Sequence, residues 1–245
     1  MTRELIRDAC PDHRVRAEAV RIPTATTTKL DALVYRAGGA GPHPAVAMVD
    51  ELGAAAVPGL ELAAERFSAE GFTSIALTRE QAGSDDYRSV FEWARTQRDV
   101  DATRVFAWCR CLDDPHALKL ATADSRLRGA IVHTPSSHDV VAVRAPGGSW
   151  CRRRAMRALL RGTASGRGGS TSTTSYPVLF VVGGKTDDLG LLRRMAKHEP
   201  RIEVFVAKPR TGESERGKLA GRLLGVDVDF LRFHAGLPAT TYAMR

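Results

Sequence analysis

The chain has 245 residues, of which 43% are hydrophobic and 26% are charged, proportions that suit one globular α/β domain with a full core. No stretch approaches the roughly 20 consecutive apolar residues that a membrane-spanning helix needs. The first residues, "MTRELIRDACPDHRVRAE", are charged throughout and do not resemble a targeting segment. We therefore expect a cytoplasmic protein that does not enter a membrane.

Alternating and continuous apolar runs predict the strands. They are, in chain order, two strands in "AVRIPTATTTKLDALVYRA" and one each in "HPAVAMVDELGA", "FTSIALT", "RVFAWC", "RGAIVHTPSS", "YPVLFVVGGKTDD" and "RIEVFVAK". Helical spacing predicts helices between them, in "PGLELAAERFSAEG", "DYRSVFEWARTQ", "PHALKLATAD" and "LGLLRRMAKH", and a closing helix that includes "FLRFHAGLP". Strands that alternate with helices in this way predict an α/β fold with a mostly parallel central sheet and helices on both faces.

Residues 138–176 interrupt this alternation and predict a short basic lid or insert. Arginines are densest in its "SWCRRRAMRALLRGTASGRGG" segment, and the net charge of the chain is +8. A solvated basic helix with a flexible linker explains the segment. A patch for an anionic partner, such as a carrier or a coenzyme A-type group, explains it as well. Because no aromatic residues are interleaved among the arginines to stack bases, we expect a small-molecule substrate and no nucleic-acid partner.

The four cysteines are Cys10, Cys109, Cys111 and Cys151. They form no repeated pair with the spacing of a zinc site, and in a reducing cytosol we expect free thiols. The sequence predicts no metal site and no cofactor.

Three segments together resemble the α/β-hydrolase fold, in particular its bacterial esterase and acyl-peptidase-like branch. "PAVAMVDELGA" lies where that fold has a strand, then His-Gly, then a loop. "RFSAEGFTSIALTREQAGSDD" occupies the place of its Ala-x-x-Gly-Tyr and Asp-x-Arg-Gly-x-Gly-x-Ser motifs. "VDATRVFAWCRCLDD" occupies the place of the strand and Gly-x-Ser-x-Gly turn. The resemblance implies a 1–16 extension and one domain over 17–245 with its insert at about 138–176.

The resemblance places Cys111 where the family carries its nucleophile, with Cys109 and Asp113 in the places of two glycines. A thiolate at the start of a helix is a competent nucleophile. Non-glycine residues on both sides crowd such a turn, however, and the alternative interpretation is that Cys109 and Cys111 are small, half-buried packing residues.

The rest of the implied site is also altered. Asp50 and Glu51 stand in the oxyanion loop, where a carboxylate opposes the developing negative charge but can act as a general acid or base. No histidine lies between His198 and His234, where the family's catalytic histidine belongs. His133 ends a strand at the cleft edge and His138 opens the loop after it, so either histidine can substitute. The implied acid is Asp187 or its neighbour Asp188. Further residues that we expect to line the substrate cleft are Leu52, Arg79, Arg110, Leu112 and Asp113.

Three functions follow from this site. The first is a small-molecule enzyme of specialised metabolism, repurposed for cyclisation or elimination on a carbonyl-rich, polyketide-like substrate. The second is a cysteine-dependent acyl hydrolase or thioesterase that uses Cys111. The third is an inactive protein that binds a ligand or partner.

Overall fold

The computed structural model describes residues 16–24, 29–50, 59–77, 84–110, 124–134, 175–183, 189–198, 200–207 and 213–238. The strands are β1 (Ala17–Pro23), β2 (Lys29–Tyr35), β3 (His43–Asp50), β4 (Thr73–Leu77), β5 (Val100–Arg110), β6 (Gly129–Thr134), β7 (Val178–Gly183) and β8 (Ile202–Ala207). The helices are α1 (Leu60–Ala69), α2 (Ser84–Thr96), α3 (Leu189–His198) and α4 (Glu213–Ala235).

These strands form an eight-stranded mixed sheet in the order β1-β2-β4-β3-β5-β6-β7-β8. β2 pairs antiparallel with β1 and with β4, and every later pairing is parallel. The predicted α/β class and mostly parallel sheet are confirmed. The predicted amino-terminal hairpin is also present, with Ala17 paired to Tyr35 and Pro23 to Lys29.

Helices cover both faces of the sheet, and each face has its own apolar core. On one face α2 contributes Val90, Phe91 and Ala94 to a core with residues of most of the strands, and α3 packs against it. On the other face α1 and α4 pack against Phe106, Trp108 and their neighbours. Burial on both faces explains why the central strands are nearly continuous apolar runs in the sequence.

Two predicted boundaries were wrong by a few residues. β5 begins at Val100, four residues before the predicted "RVFAWC", because Val100 pairs with His43 of β3. A register shift separates this pair from the next one, Ala45 with Val105. The polar, half-exposed residues of the first half of β5 hide it from an apolar pattern. Helix α2 begins at Ser84, two residues before the predicted start.

The predicted helix over 115–124, the insert over 138–176 and the extension over 1–16 lie outside the described residues, apart from their last one or two positions. Among the helices that are described, none is long and apolar enough to cross a membrane.

Candidate functional site

The carboxyl ends of the central strands β3, β5 and β6 lie side by side. In the strand register Asp50 pairs with Arg110, and Arg110 pairs with His133. Parallel strands bring their carboxyl ends to one edge of the sheet, and open α/β sheets bind their ligands in the crevice outside that edge. The backbone therefore brings three of the predicted site residues together, and Cys111 follows directly in the chain after one of them.

Of the predicted site residues, the structure describes the side chains of Arg110 and His133 and the backbone of Asp50. The others lie outside the described residues, so their roles stay predictions: Glu51, Leu52, Arg79, Cys111, Leu112, Asp113, His138 and Asp187.

Alternation along β5 directs its last side chains to opposite faces of the sheet. Cys109 is 4% exposed in the core beneath α2 and α3, and its Sγ lies 3.6 Å from the carbonyl oxygen of Ile131. Trp108 lies in the other core, with α1 and α4. Cys109 thus has the surroundings of a buried packing residue, a small apolar side chain with a weak S–H donor.

Arg110 is the last residue of β5 and is only 3% exposed. Its guanidinium carbon lies 5.2 Å from the centre of the Trp108 ring, within the range of a cation–π contact. Arg110 therefore places a positive charge on the same face as Trp108, in register with His133.

His133, near the end of β6, forms a buried polar cluster with Trp108 and Asp227 of α4. The His133 Nε2 lies 2.9 Å from the Asp227 Oδ2, and the Trp108 Nε1–H donates to the same oxygen at 3.0 Å. Asp227 is fully buried and His133 is 4% exposed. The His133 and Trp108 ring centres are 5.1 Å apart, so the cluster is packed as well as hydrogen-bonded.

A histidine held by a carboxylate has the chemistry of a proton carrier. General bases are most often histidines, and a third group that orients the ring is a recurring part of such sites. The cluster lies at the sheet edge where the register places Asp50 and Arg110. Among the described residues, no group of three or more His, Cys, Asp and Glu side chains is arranged to hold a metal ion.

Sequence reasoning missed Asp227. A signal was present, because Asp227 interrupts the apolar face of α4, where Leu223, Leu224 and Leu231 are buried. A carboxylate on such a face needs a buried partner. The sequence did not identify that partner, since His133 lies 94 residues away.

No protein-family model matches the sequence, and no curated protein matches it. Solved structures do match. A puromycin-hydrolysing peptidase from Mycobacterium tuberculosis superposes with a TM-score of 0.64 at 13% identity, over 93% of this chain and 41% of that one. The chain thus spans less than half the length of that peptidase.

Two further structures have lengths similar to this chain. Esterase 2 of Thermogutta terrifontis, phosphonylated by sarin, has a TM-score of 0.61 at 15% identity, over 94% of this chain and 99% of that one. The α/β-hydrolase GrgF from Penicillium sp. sh18 has a TM-score of 0.61 at 16% identity, over 91% of this chain and 100% of that one. At these identities the likeness concerns the fold, and it agrees with the strand order and the helix-covered sheet. The chain has the α/β-hydrolase fold.

Proposed function

We propose that this chain is a small-molecule enzyme that uses an α/β-hydrolase scaffold for non-hydrolytic acid/base chemistry. The reaction class is cyclisation or elimination on a carbonyl-rich substrate of the polyketide type. The observation that carries the proposal is the strand register that aligns Asp50, Arg110 and His133 at the carboxyl edge of the sheet. In this proposal Asp50 is the acid, Arg110 is the fixed cation and His133 is the base. The reaction needs no nucleophilic side chain.

The roles follow from the chemistry of an intramolecular aldol condensation. His133 removes a proton from the carbon next to a ketone, and the electron pair moves into an enolate. Arg110 stabilises the negative charge on the enolate oxygen, since charge stabilisation by a buried cation is strong where water is excluded. The enolate carbon attacks the second ketone, and the resulting alkoxide takes the proton that His133 carries. His133 then removes a second proton from the same carbon, the carbon–carbon double bond forms, and the hydroxyl group leaves as water with a proton from Asp50. The proton on His133 then returns to Asp50, which completes the cycle.

The sequence around Cys111 supports proton transfer over an acyl-enzyme. Acyl transfer needs backbone N–H donors around a developing oxyanion, and the loop that supplies them in the family begins here with Asp50 and Glu51. An ionised carboxylate there disfavours the oxyanion of an acyl transfer, by on the order of 1 kcal/mol or more. In the proposed cyclisation the enolate charge is balanced by Arg110, and Asp50 acts as a protonated donor. In acid/base chemistry, in contrast, the carboxyl group of Asp50 or Glu51 is itself the group that gives or takes the proton.

The test uses a linear seven-carbon diketone whose two ketones are separated by three methylene groups, which condenses to a conjugated cyclic enone that absorbs in the ultraviolet. We expect the purified full-length chain to accelerate this cyclisation. His133→Gln should lower the rate by about 10²–10⁴-fold, the usual contribution of a general base. Cys111→Ala should retain the activity. His43→Gln is the matched control, because His43 lies at the opposite end of β3.

Thioester and p-nitrophenyl ester hydrolysis are measured in parallel. Hydrolysis that Cys111→Ala abolishes, without cyclisation of the diketone, would replace the proposal with the cysteine-dependent acyl hydrolase. Absence of both reactions in the wild-type chain would favour a ligand-binding protein without turnover.

A further inference from the structure

We propose that Asp227 of the closing helix α4 is the positioning residue of His133, in place of an acid after β7. This inference rests on the proposed function, in which His133 is the base. The Asp227 Oδ2 lies 2.9 Å from the His133 Nε2, and both residues are buried. The β7 loop, which holds Asp187, is where the family resemblance placed the acid.

The hydrogen bonds define which ring nitrogen of His133 is basic. The indole Nε1–H of Trp108 is a donor only, and a carboxylate is an acceptor only. The Asp227 Oδ2 accepts from Trp108 at 3.0 Å, so His133 also binds this oxygen as a donor through its Nε2–H. The lone pair is then on Nδ1, and Nδ1 is the atom that takes the substrate proton.

Trp108 orients the carboxylate of Asp227. Both donors approach Oδ2, while the Asp227 Oδ1 is buried and has no hydrogen-bond partner among the residues that the structure describes. Nothing described therefore competes with His133 and Trp108 for the orientation of the carboxylate. The Trp108 indole is itself packed edge-on against Phe67 at a centroid distance of 6.4 Å, which restrains the donor.

The burial of a carboxylate is poorly explained by helix attachment alone. Replacing a buried polar pair with apolar residues of similar size is often neutral or stabilising, so a helix-to-sheet contact needs no acid at this position. A proton-accepting histidine does benefit from one. The His133 ring and the Arg110 guanidinium both lie against the Trp108 ring, 5.1 Å and 5.2 Å from its centre. When Nδ1 is protonated, two positive charges share this face, and the Asp227 carboxylate offsets their repulsion.

The first arm of the experiment is nuclear magnetic resonance of the full chain with ¹⁵N-labelled histidine, with His133 assigned from the His133→Gln spectrum. We expect the neutral ring of His133 to carry its proton on Nε2. We also expect the Trp108 indole proton to exchange slowly with solvent. His43, which lies 3.4 Å from the carbonyl oxygen of Gly39, is the internal reference and should not change in any variant. A wild-type His133 protonated on Nδ1 would overturn the inference.

Three variants separate charge from geometry. Asp227→Asn can keep its oxygen at the Oδ2 position and its amide group at the partnerless Oδ1 position, so the tautomer and the slow indole exchange should persist. Asp227→Leu should release both, giving a mixed tautomer and fast indole exchange. Trp108→Phe should loosen the ring of His133 without removing its partner. If Asp227→Leu does not fold, Asp227→Asn and Trp108→Phe still test the arrangement.

The second arm is kinetic and uses the diketone. Asp227→Asn should lower kcat by about 10–100-fold with little change in KM, because the neutral amide still holds the ring but no longer supplies the carboxylate charge that stabilises the protonated base. A helix-attachment role would change thermal stability and leave kcat unchanged. Wild-type kcat in both Asp227→Asn and Asp227→Leu, together with an inactive His133→Gln, would overturn the positioning role and leave the proposed function intact. A wild-type chain without turnover would contradict the proposed function, whereas the tautomer of His133 decides the arrangement independently.

Discussion

At the residue scale, the described part of the chain buries charged side chains where partners lie within hydrogen-bond distance. Asp124, just before β6, is 6% exposed and accepts from Arg95 at 3.0 Å and from the backbone N–H of Arg126 at 3.0 Å. Although burial acts in the opposite direction, the hydrogen bonds from Arg126 and Arg95 hold the pKa of Asp124 below its ordinary value. Asp124 therefore stabilises the fold through ionic hydrogen bonds at the amino end of β6, whereas Asp227 contacts His133 near the carboxyl end of the same strand.

Asp124→Asn should destabilise the fold by about 2–3 kcal/mol, because it leaves the guanidinium of Arg95, which is 10% exposed, with only the more distant carboxylate of Glu92 at 3.9 Å. Since the folded pKa lies below the unfolded one, the contribution of Asp124 is complete above the unfolded pKa. It disappears as the pH falls through the folded pKa. Urea denaturation at several pH values should thus show a difference between wild type and variant that is large at neutral pH and shrinks in acid.

Glu92→Gln is the matched control, because Glu92 pairs with Arg126 in the same network while 47% of its side chain is exposed. We expect Glu92→Gln to lower the free energy of unfolding by less than about 1 kcal/mol, because this ion pair is exposed. Equal losses in the two variants, or a difference that does not depend on pH, would contradict the role assigned to Asp124.

At the element scale, the two helices on the site face end in the same way. Gly71 follows the last turn of α1 at φ +90°, and the Phe72 N–H donates to the Phe67 carbonyl at 3.0 Å. Gly236 follows α4 at φ +70°, and the Leu237 N–H donates to the Arg232 carbonyl at 2.9 Å. These are Schellman endings, in which a glycine takes the left-handed conformation that closes the helix.

Glycines inside elements behave differently from these caps. A Cβ at Gly225 within α4 would meet nothing within 4 Å, so Gly225→Ala should stabilise the protein by about 0.5–1 kcal/mol. A Cβ at Gly129, where β6 begins, would lie 3.2 Å from the Phe106 ring and 3.3 Å from the Phe230 ring. Gly129→Ala should destabilise by about 1–3 kcal/mol through overpacking. Thermal and urea denaturation of the two variants provide the measurement, and the same sign for both would refute the packing described here.

At the scale of the whole molecule, the sheet is the common wall of two cores, and its centre is more protected than its first edge. The last six residues of β5 are all buried, and β5 is flanked by β3 and β6. Among the strands that the structure describes, β1 pairs only with β2, and most of its residues are exposed. Local opening should therefore be easiest at β1.

Amide hydrogen exchange should show this gradient. We expect the amides of β1 to exchange faster than those in the carboxyl half of β5 by roughly 100-fold or more. β2, which pairs with both β1 and β4, serves as the comparison and should lie between them. Equal protection of β1 and β5 would mean that the sheet opens only as one unit.

Much of the fold was predictable from the sequence, because burial imposes a period on each element. The alternation in "AVRIPTATTTKLDALVYRA" identified the hairpin, and the spacing in "PGLELAAERFSAEG" identified α1. The prediction was inaccurate where polar residues occupy a strand. The first half of β5 contains Asp101, Thr103 and Arg104, which bond to one another and carry no apolar pattern.

The candidate site was predictable only in part. Because strands end at one edge of a parallel sheet, the sequence indicated that His133 and Arg110 lie there, and the register places them as neighbours. The sequence did not show on which face of the sheet each side chain lies. Strands that are covered by helices on both faces are apolar at every position, so they carry no alternation that would distinguish the two faces.

The sequence by itself determined the α/β class, the order of the elements and the edge at which the polar residues collect, since each of these depends on local periodicity and chain direction. The tertiary structure alone decided that the carboxylate of Asp227 meets His133 and Trp108. A hydrogen bond requires atoms within about 3 Å. Whether two groups 94 residues apart reach that distance depends on how α4 crosses the sheet.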